Sequence, residues 1–168
     1  MGYVDNVVLF WRSDARKNYG YEKEMNLTEH FTYEELTHTD HREFDNTPND
    51  AELENLKRMA EFLEKVRSLL GKPLLINSCY RSESVNNSVG SKSSSQHRVG
   101  CATDFRVNGM TPNEVVKAII ASDLNYDQII REFDRWTHIS IPNTIHNQPR
   151  KQALIIDKNG TRFFNNDA

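Results

Sequence analysis

Apolar residues recur at three- and four-residue intervals through Leu53, Leu56, Ala60, Leu63, Val66 and Leu70, and charged residues fill the positions between them. That period belongs to a helix with one stripe turned to a core. Thr47 as N-cap, Pro48 at the first helical position and Asp50 near the positive end predict its start, and Gly71 ahead of Pro73 its stop. Thr32-Tyr33-Glu34-Glu35 is a capping box that opens a shorter helix, with Leu36 facing inward. A second box, Thr111-Pro112-Asn113-Glu114, precedes an inner face of Val115, Val116, Ile119 and Ile120. Strands are expected over residues 74–77, 102–107, 128–133 and 136–141, the last two forming a hairpin turned at Asp134-Arg135. Residues 153–157 and 161–164, joined through Asn159-Gly160, read as a terminal hairpin covering a sheet edge. Residues 82–96 are rich in Ser, Asn and Gly and read as a loop over a cleft, and 142–152 as a further loop. Residues 1–26 alternate apolar bursts with charges and are expected to form an arm packed on a single domain spanning 27–168. The fold class that follows is α+β, a small mixed or antiparallel sheet with helices on one side.

Length and charge narrow the function. A chain of 168 residues supports one domain with a real core. The net charge is −3 and the lysines and arginines are dispersed, so nucleic acid is not an expected partner. The apolar runs at 7–11 and 154–156 fall far short of the ~20 residues a membrane span needs. The N-terminus shows no basic segment followed by an apolar stretch of signal-peptide kind, so any route to a cell wall is expected to depend on another factor. Cys79 and Cys101 allow one disulfide at most, and two buried thiols are the preferred reading for a chain made in the cytosol.

The candidate chemistry lies in two short runs. His97 and Asp104 stand seven apart across Gly100, a spacing that lets both side chains converge, and His138 sits in the alternating run of residues 136–141, where a strand turns its ring to one face. Two imidazoles and a carboxylate suit Zn²⁺ and leave a fourth position open for water, as catalysis requires. Taken alone, the His97 and Asp104 pair also fits polar residues of a Ser-rich loop. His38 and His41 could form a second site only if helical, and the solvated-loop reading is preferred for them.

Four blocks change that balance: Ser78-Cys79-Tyr80-Arg81, then residues 85–90, then Ser95-Gln96-His97 with Gly100, Ala102 and Asp104, then Trp136-Thr137-His138-Ile139-Ser140. In this order, over about residues 25–141, they resemble the zinc D-Ala-D-Ala carboxypeptidases and dipeptidases, a family that includes bacteriophage L-alanyl-D-glutamate endopeptidase endolysins and whose metal site is similar to that of the hedgehog signalling domain. The resemblance implies Zn²⁺ on His97, Asp104 and His138 in a cleft at the sheet edge. It implies Glu132, six before His138, as general base, with Asp134 as the alternative, while Arg135 stays charged and is no base. It implies Arg81 on the scissile carbonyl, with Ser95, Gln96 and Tyr80 at the substrate; Ser95 could equally cap its loop, and for Tyr80 and Trp136 packing beneath the cleft is the preferred reading. The function implied is a monomeric zinc peptidase cutting the stem peptide of bacterial peptidoglycan. It would be a phage lysin made in the cytoplasm of an infected bacterium and acting on the wall after release. A carboxypeptidase or dipeptidase on soluble precursors, or an inactive zinc-containing binding module, are the rival readings.

Overall fold

The computed structural model describes residues 25–165. The expected arm at 1–26 lies outside them except for Met25 and Asn26, and Asn26 makes a β-bridge to Thr32. The described chain folds into helices α1 (Tyr33–Leu36), α2 (Asp50–Leu70), α3 (Glu83–Ser88) and α4 (Pro112–Ile120). The strands are β1 (Leu75–Ser78), β2 (Ala102–Arg106), β3 (Gln128–Glu132), β4 (Trp136–Ser140), β5 (Gln152–Asp157) and β6 (Gly160–Phe163).

Helix α2 begins later than Thr47 predicts. Its N-cap is Asn49, whose side chain accepts from the Glu52 N–H while the Glu52 carboxylate accepts from the Asn49 N–H. Thr47 as cap would have Asp50 at the reciprocal position, a carboxylate one methylene shorter than Glu52. The box with two satisfied N–H groups wins, and Thr47 hydrogen-bonds Asp45 instead. The helix ends as expected at Gly71, in the left-handed region at φ 64°. Its inward stripe is Leu56, Met59, Ala60, Phe62, Leu63 and Val66. Truncating a fully buried member such as Leu63 to alanine is a change worth about 2–5 kcal/mol.

The six strands form one mixed sheet in the order β1-β2-β4-β3-β5-β6, with only the β3/β5 pair parallel. Residues in register share a face. Phe105, Ile129 and Ile139 turn one face into the core with α2 and α4. The partners one step along, Asp104, His138 and Ile130, lie across from one another on the other face, and Glu132 opposite Trp136 shares it. The helices α2 and α4 therefore cover one side, and the acidic and imidazole groups collect on the other. Asp104 and His138 stand on β2 and β4, the second and third strands from the outermost β1.

The segment 82–96 is not wholly a loop. Ser82 caps α3, and Val85 and Asn86 are buried beneath it. Two anchored positions hold a single helical turn or so in a stretch whose composition alone reads as irregular. The Asn86 amide then donates to the carbonyls of Ser91 and Lys92, folding the following loop back on the helix. A 3₁₀ turn, Gln96–Val99, closes the segment and ends at Gly100 with φ 75°. An alanine Cβ at Gly100 would stand 2.9 Å from the Glu52 carbonyl oxygen of α2, so the turn sits directly against that helix.

Candidate active site

Three elements deliver three donor atoms to one point. The 3₁₀ turn brings His97, β2 brings Asp104 and β4 brings His138, and among the described residues these form the group that could hold a metal ion. His97 Nε2 is 3.3 Å from Asp104 Oδ1 and 3.3 Å from His138 Nδ1, and His138 Nδ1 is 2.8 Å from Asp104 Oδ1. Zinc bonds of 2.0–2.1 Å in a tetrahedron place ligand atoms about 3.3 Å apart, so this triangle has the dimensions of one tetrahedral face. The donor set fits Zn²⁺.

The surroundings prepare each donor. His97 Nδ1 lies 2.6 Å from the Cys79 carbonyl oxygen, which can only accept, so Nδ1 carries the proton and Nε2 presents its lone pair inward. Burial holds the His97 imidazole below its usual range and keeps it neutral. Burial pushes the Asp104 carboxyl up, but the His97 and His138 rings beside it reverse that and leave it well below the ordinary carboxylate range. Asp104 Oδ2 accepts from Arg81 Nη2 at 2.7 Å, which leaves Oδ1 for the triangle. Arg81 is fixed in turn: its Nε donates to Ser78 Oγ, and its backbone N–H donates to the His97 carbonyl. The backbone of Arg81 thus grips one donor segment and its side chain the other.

Glu132 stands on the same face as the triangle, with Oε2 accepting from Trp136 Nε1 at 2.9 Å. Burial, reinforced by the Asp104 charge, raises its carboxyl above the ordinary value. Asp134 is placed elsewhere. Its side chain pairs with Arg131 at 3.2 Å, and Arg131 reaches Asn113 at the start of α4, on the helix side of the sheet. Arg135 lines a small recess with Phe105, Val107, Val115 and Thr137, also on the helix side.

The other expected substrate residues have structural partners. Tyr80 is packed in the core, with its hydroxyl donating to Glu52 at 2.8 Å and pushed up to about 12 by burial and by that carboxylate. The strand end directs it toward α2, in keeping with the reading that packs it beneath the site. Ser95 accepts from the His97 N–H and caps the 3₁₀ turn. Gln96 donates through Nε2 to Asp127, Asn143 and the Ile141 carbonyl. Cys79 and Cys101 are free buried thiols, which burial pushes up to about 12 and about 11. His38 and His41 are solvent-facing and pair with Asp40 and Glu43. The role of Asp127 and Arg150 had no signal in the sequence: they are 23 residues apart and meet only because β3 and β5 lie side by side.

No curated protein matches the chain. A family model described as Peptidase M15 matches residues 29–140, which carry all three donors as well as Arg81 and Glu132. With two thirds of the sequence inside that match and a tetrahedral face of donors at its centre, the chain belongs to the Peptidase M15 family.

Proposed function

We propose that the chain is a zinc-dependent endopeptidase that hydrolyses an amide bond in the stem peptide of bacterial peptidoglycan, as a bacteriophage lysin acting on the wall. The observation that carries the peptidase reading is the triangle of His97 Nε2, Asp104 Oδ1 and His138 Nδ1, with Glu132 on the same face of the sheet. An ion held there supplies a Lewis acid that polarises a carbonyl and lowers the pKa of water.

The chain's own groups do the rest. Trp136 holds Glu132 by Oε2, leaving Oε1 to take a proton from the attacking water and return it to the leaving nitrogen. The raised Glu132 carboxyl is a stronger base than a solvated one. Arg81 commits Nε and Nη2 to Ser78 and Asp104, and its Nη1 donates to the carbonyl oxygen as charge develops there. Asp134 and Arg135 lie on the helix side, which supports Glu132 as the base. The endopeptidase reading is supported by a groove lined by Gln96, Asn143 and Arg150, beside the 3₁₀ turn that carries His97, which offers room for peptide.

Zinc-loaded protein incubated with purified peptidoglycan tests this reading. New amine ends whose product masses place the cut inside the stem are expected, and are abolished in Glu132→Gln. Release of D-Ala alone would assign a carboxypeptidase. No new amine ends from wild type would leave a binding module.

A further inference from the structure

We propose that Asn46 and Arg98 are positioning residues for Arg81, setting the backbone angles from which its guanidinium reaches Asp104 and the scissile carbonyl. The inference rests on the triangle for the contact with Asp104 and on the peptidase reading above for the carbonyl. Arg81 lies outside any helix or strand: β1 ends at Ser78 and α3 begins at Glu83. No ladder of its own fixes its direction. Where its side chain points is set by the two soft dihedrals at its Cα, and these are set by the orientation of the peptide planes on either side.

Both planes are held at both ends. In the peptide before Arg81, the Tyr80 carbonyl accepts from Asn46 Nδ2 at 3.1 Å and the Arg81 N–H donates to the His97 carbonyl at 3.0 Å. In the peptide after it, the Arg81 carbonyl accepts from Arg98 Nη1 at 2.8 Å and the Ser82 N–H donates to Asn46 Oδ1 at 2.7 Å. Asn46 therefore spends its donor on one plane and its acceptor on the other, as only a carboxamide can. Each holder is tied to a separate part of the fold. Asn46 Nδ2 also donates to the Thr37 carbonyl just past α1, at 2.8 Å. Arg98 Nη1 lies 3.7 Å from Glu52 Oε1 on α2, and both side chains are largely buried. Glu52 is fixed in turn by the Asn49 N–H and the Tyr80 hydroxyl. The His97 and Arg98 pair thus reads Arg81 from one side, through a carbonyl and a guanidinium, while Asn46 reads it from the other. An arginine pinned in this way meets Asp104 without first losing backbone freedom, and a small displacement of its Cα would be carried out along the side chain to Nη2.

The test is a double-mutant cycle on the full-length protein. Asn46→Ala and Arg98→Met, the latter keeping the aliphatic stem, are each made in the wild-type and the Arg81→Ala backgrounds. Zinc affinity by calorimetry and cleavage of purified peptidoglycan are read separately. In the wild-type background each variant is expected to weaken zinc about 10-fold and to lower kcat about 10–100-fold with KM alike. In the Arg81→Ala background the same changes should cost less than about 2-fold, because the side chain they position is gone. Arg98→Lys keeps a donor for the Arg81 carbonyl and should recover most of the loss. Should either variant melt early, the other carries the cycle alone. Equal losses in both backgrounds, or no loss in either, with cleavage intact, would overturn the positioning role and leave the peptidase reading standing. Coupling in zinc affinity with no cleavage by any of the proteins would uphold the positioning of Arg81 against Asp104 and remove the peptidase reading. Wild type that binds no zinc would overturn both.

Discussion

Gly100→Ala tests whether the turn that carries His97 is shaped by its contact with α2. Two costs are legible at this position. At φ 75° an L side chain sits in the left-handed region, at about 1–2 kcal/mol. The added Cβ would also lie 2.9 Å from the Glu52 carbonyl oxygen and 3.1 Å from Leu56 Cγ. The first atom is helix backbone and cannot rotate away, so the turn itself must shift, at about 1–3 kcal/mol for overpacking. The sum, about 2–5 kcal/mol, corresponds to a Tm lowered by about 4–20 °C in a domain of this size. Gly71→Ala is the control: its φ is 64° and nothing lies within 4 Å of the added Cβ, so it carries only the conformational cost. Thermal unfolding followed by circular dichroism compares the two. Because the Gly100 N–H donates to the carbonyls of Gln96 and His97, the displaced turn should also weaken zinc binding, which Gly71→Ala leaves alone. Equal Tm values for the two variants, with equal zinc affinity, would refute the close-contact argument.

Glu132→Gln keeps the Trp136 partner's geometry but removes the base; kcat should fall by about 10²–10⁴ while zinc titration by calorimetry is unchanged, and a joint loss of zinc would place Glu132 among the ligands. Arg81→Ala leaves Asp104 Oδ2 without its 2.7 Å partner, and zinc affinity should drop by about 10–100-fold; unchanged affinity with lower kcat would confine Arg81 to the substrate carbonyl. Because the Glu132 carboxyl is raised above 4.5, the base form is lost as pH falls through that raised value, so the acid limb of kcat/KM should lie above 4.5 and disappear in Glu132→Gln. The Asp127 carboxyl is pushed up by burial but brought below 3.8 by Arg150, so its contribution to stability is fully present above 3.8 and lost as pH falls through the lower folded value. Acid melts of Asp127→Asn against wild type read this, and converging stabilities at neutral pH, well above both values, would contradict it.

Periodicity and capping chemistry by themselves determined α2, α4 and the paired strands β3 and β4, because in each the local pattern and the tertiary burial agree: Leu56, Leu63 and Val66 are buried where a three- and four-residue stripe places them. The triad was legible as well, since His97 and Asp104 flank a glycine turn and His138 alternates on a strand. Contacts between distant segments decided the rest. Helix α3 exists because Val85 and Asn86 find a buried seat, which a run of Ser and Asn does not announce. Tyr80 turned into the core to meet Glu52, 28 residues earlier in the chain. Arg81 proved to hold Asp104 across 23 residues, and the meeting of Asp127 with Arg150 needed the parallel pairing of β3 with β5. The physical reason is common to all of these: a linear pattern reports which way a side chain faces along its own element, whereas its partner is chosen only when non-neighbouring elements pack and most buried polar groups find an opposite.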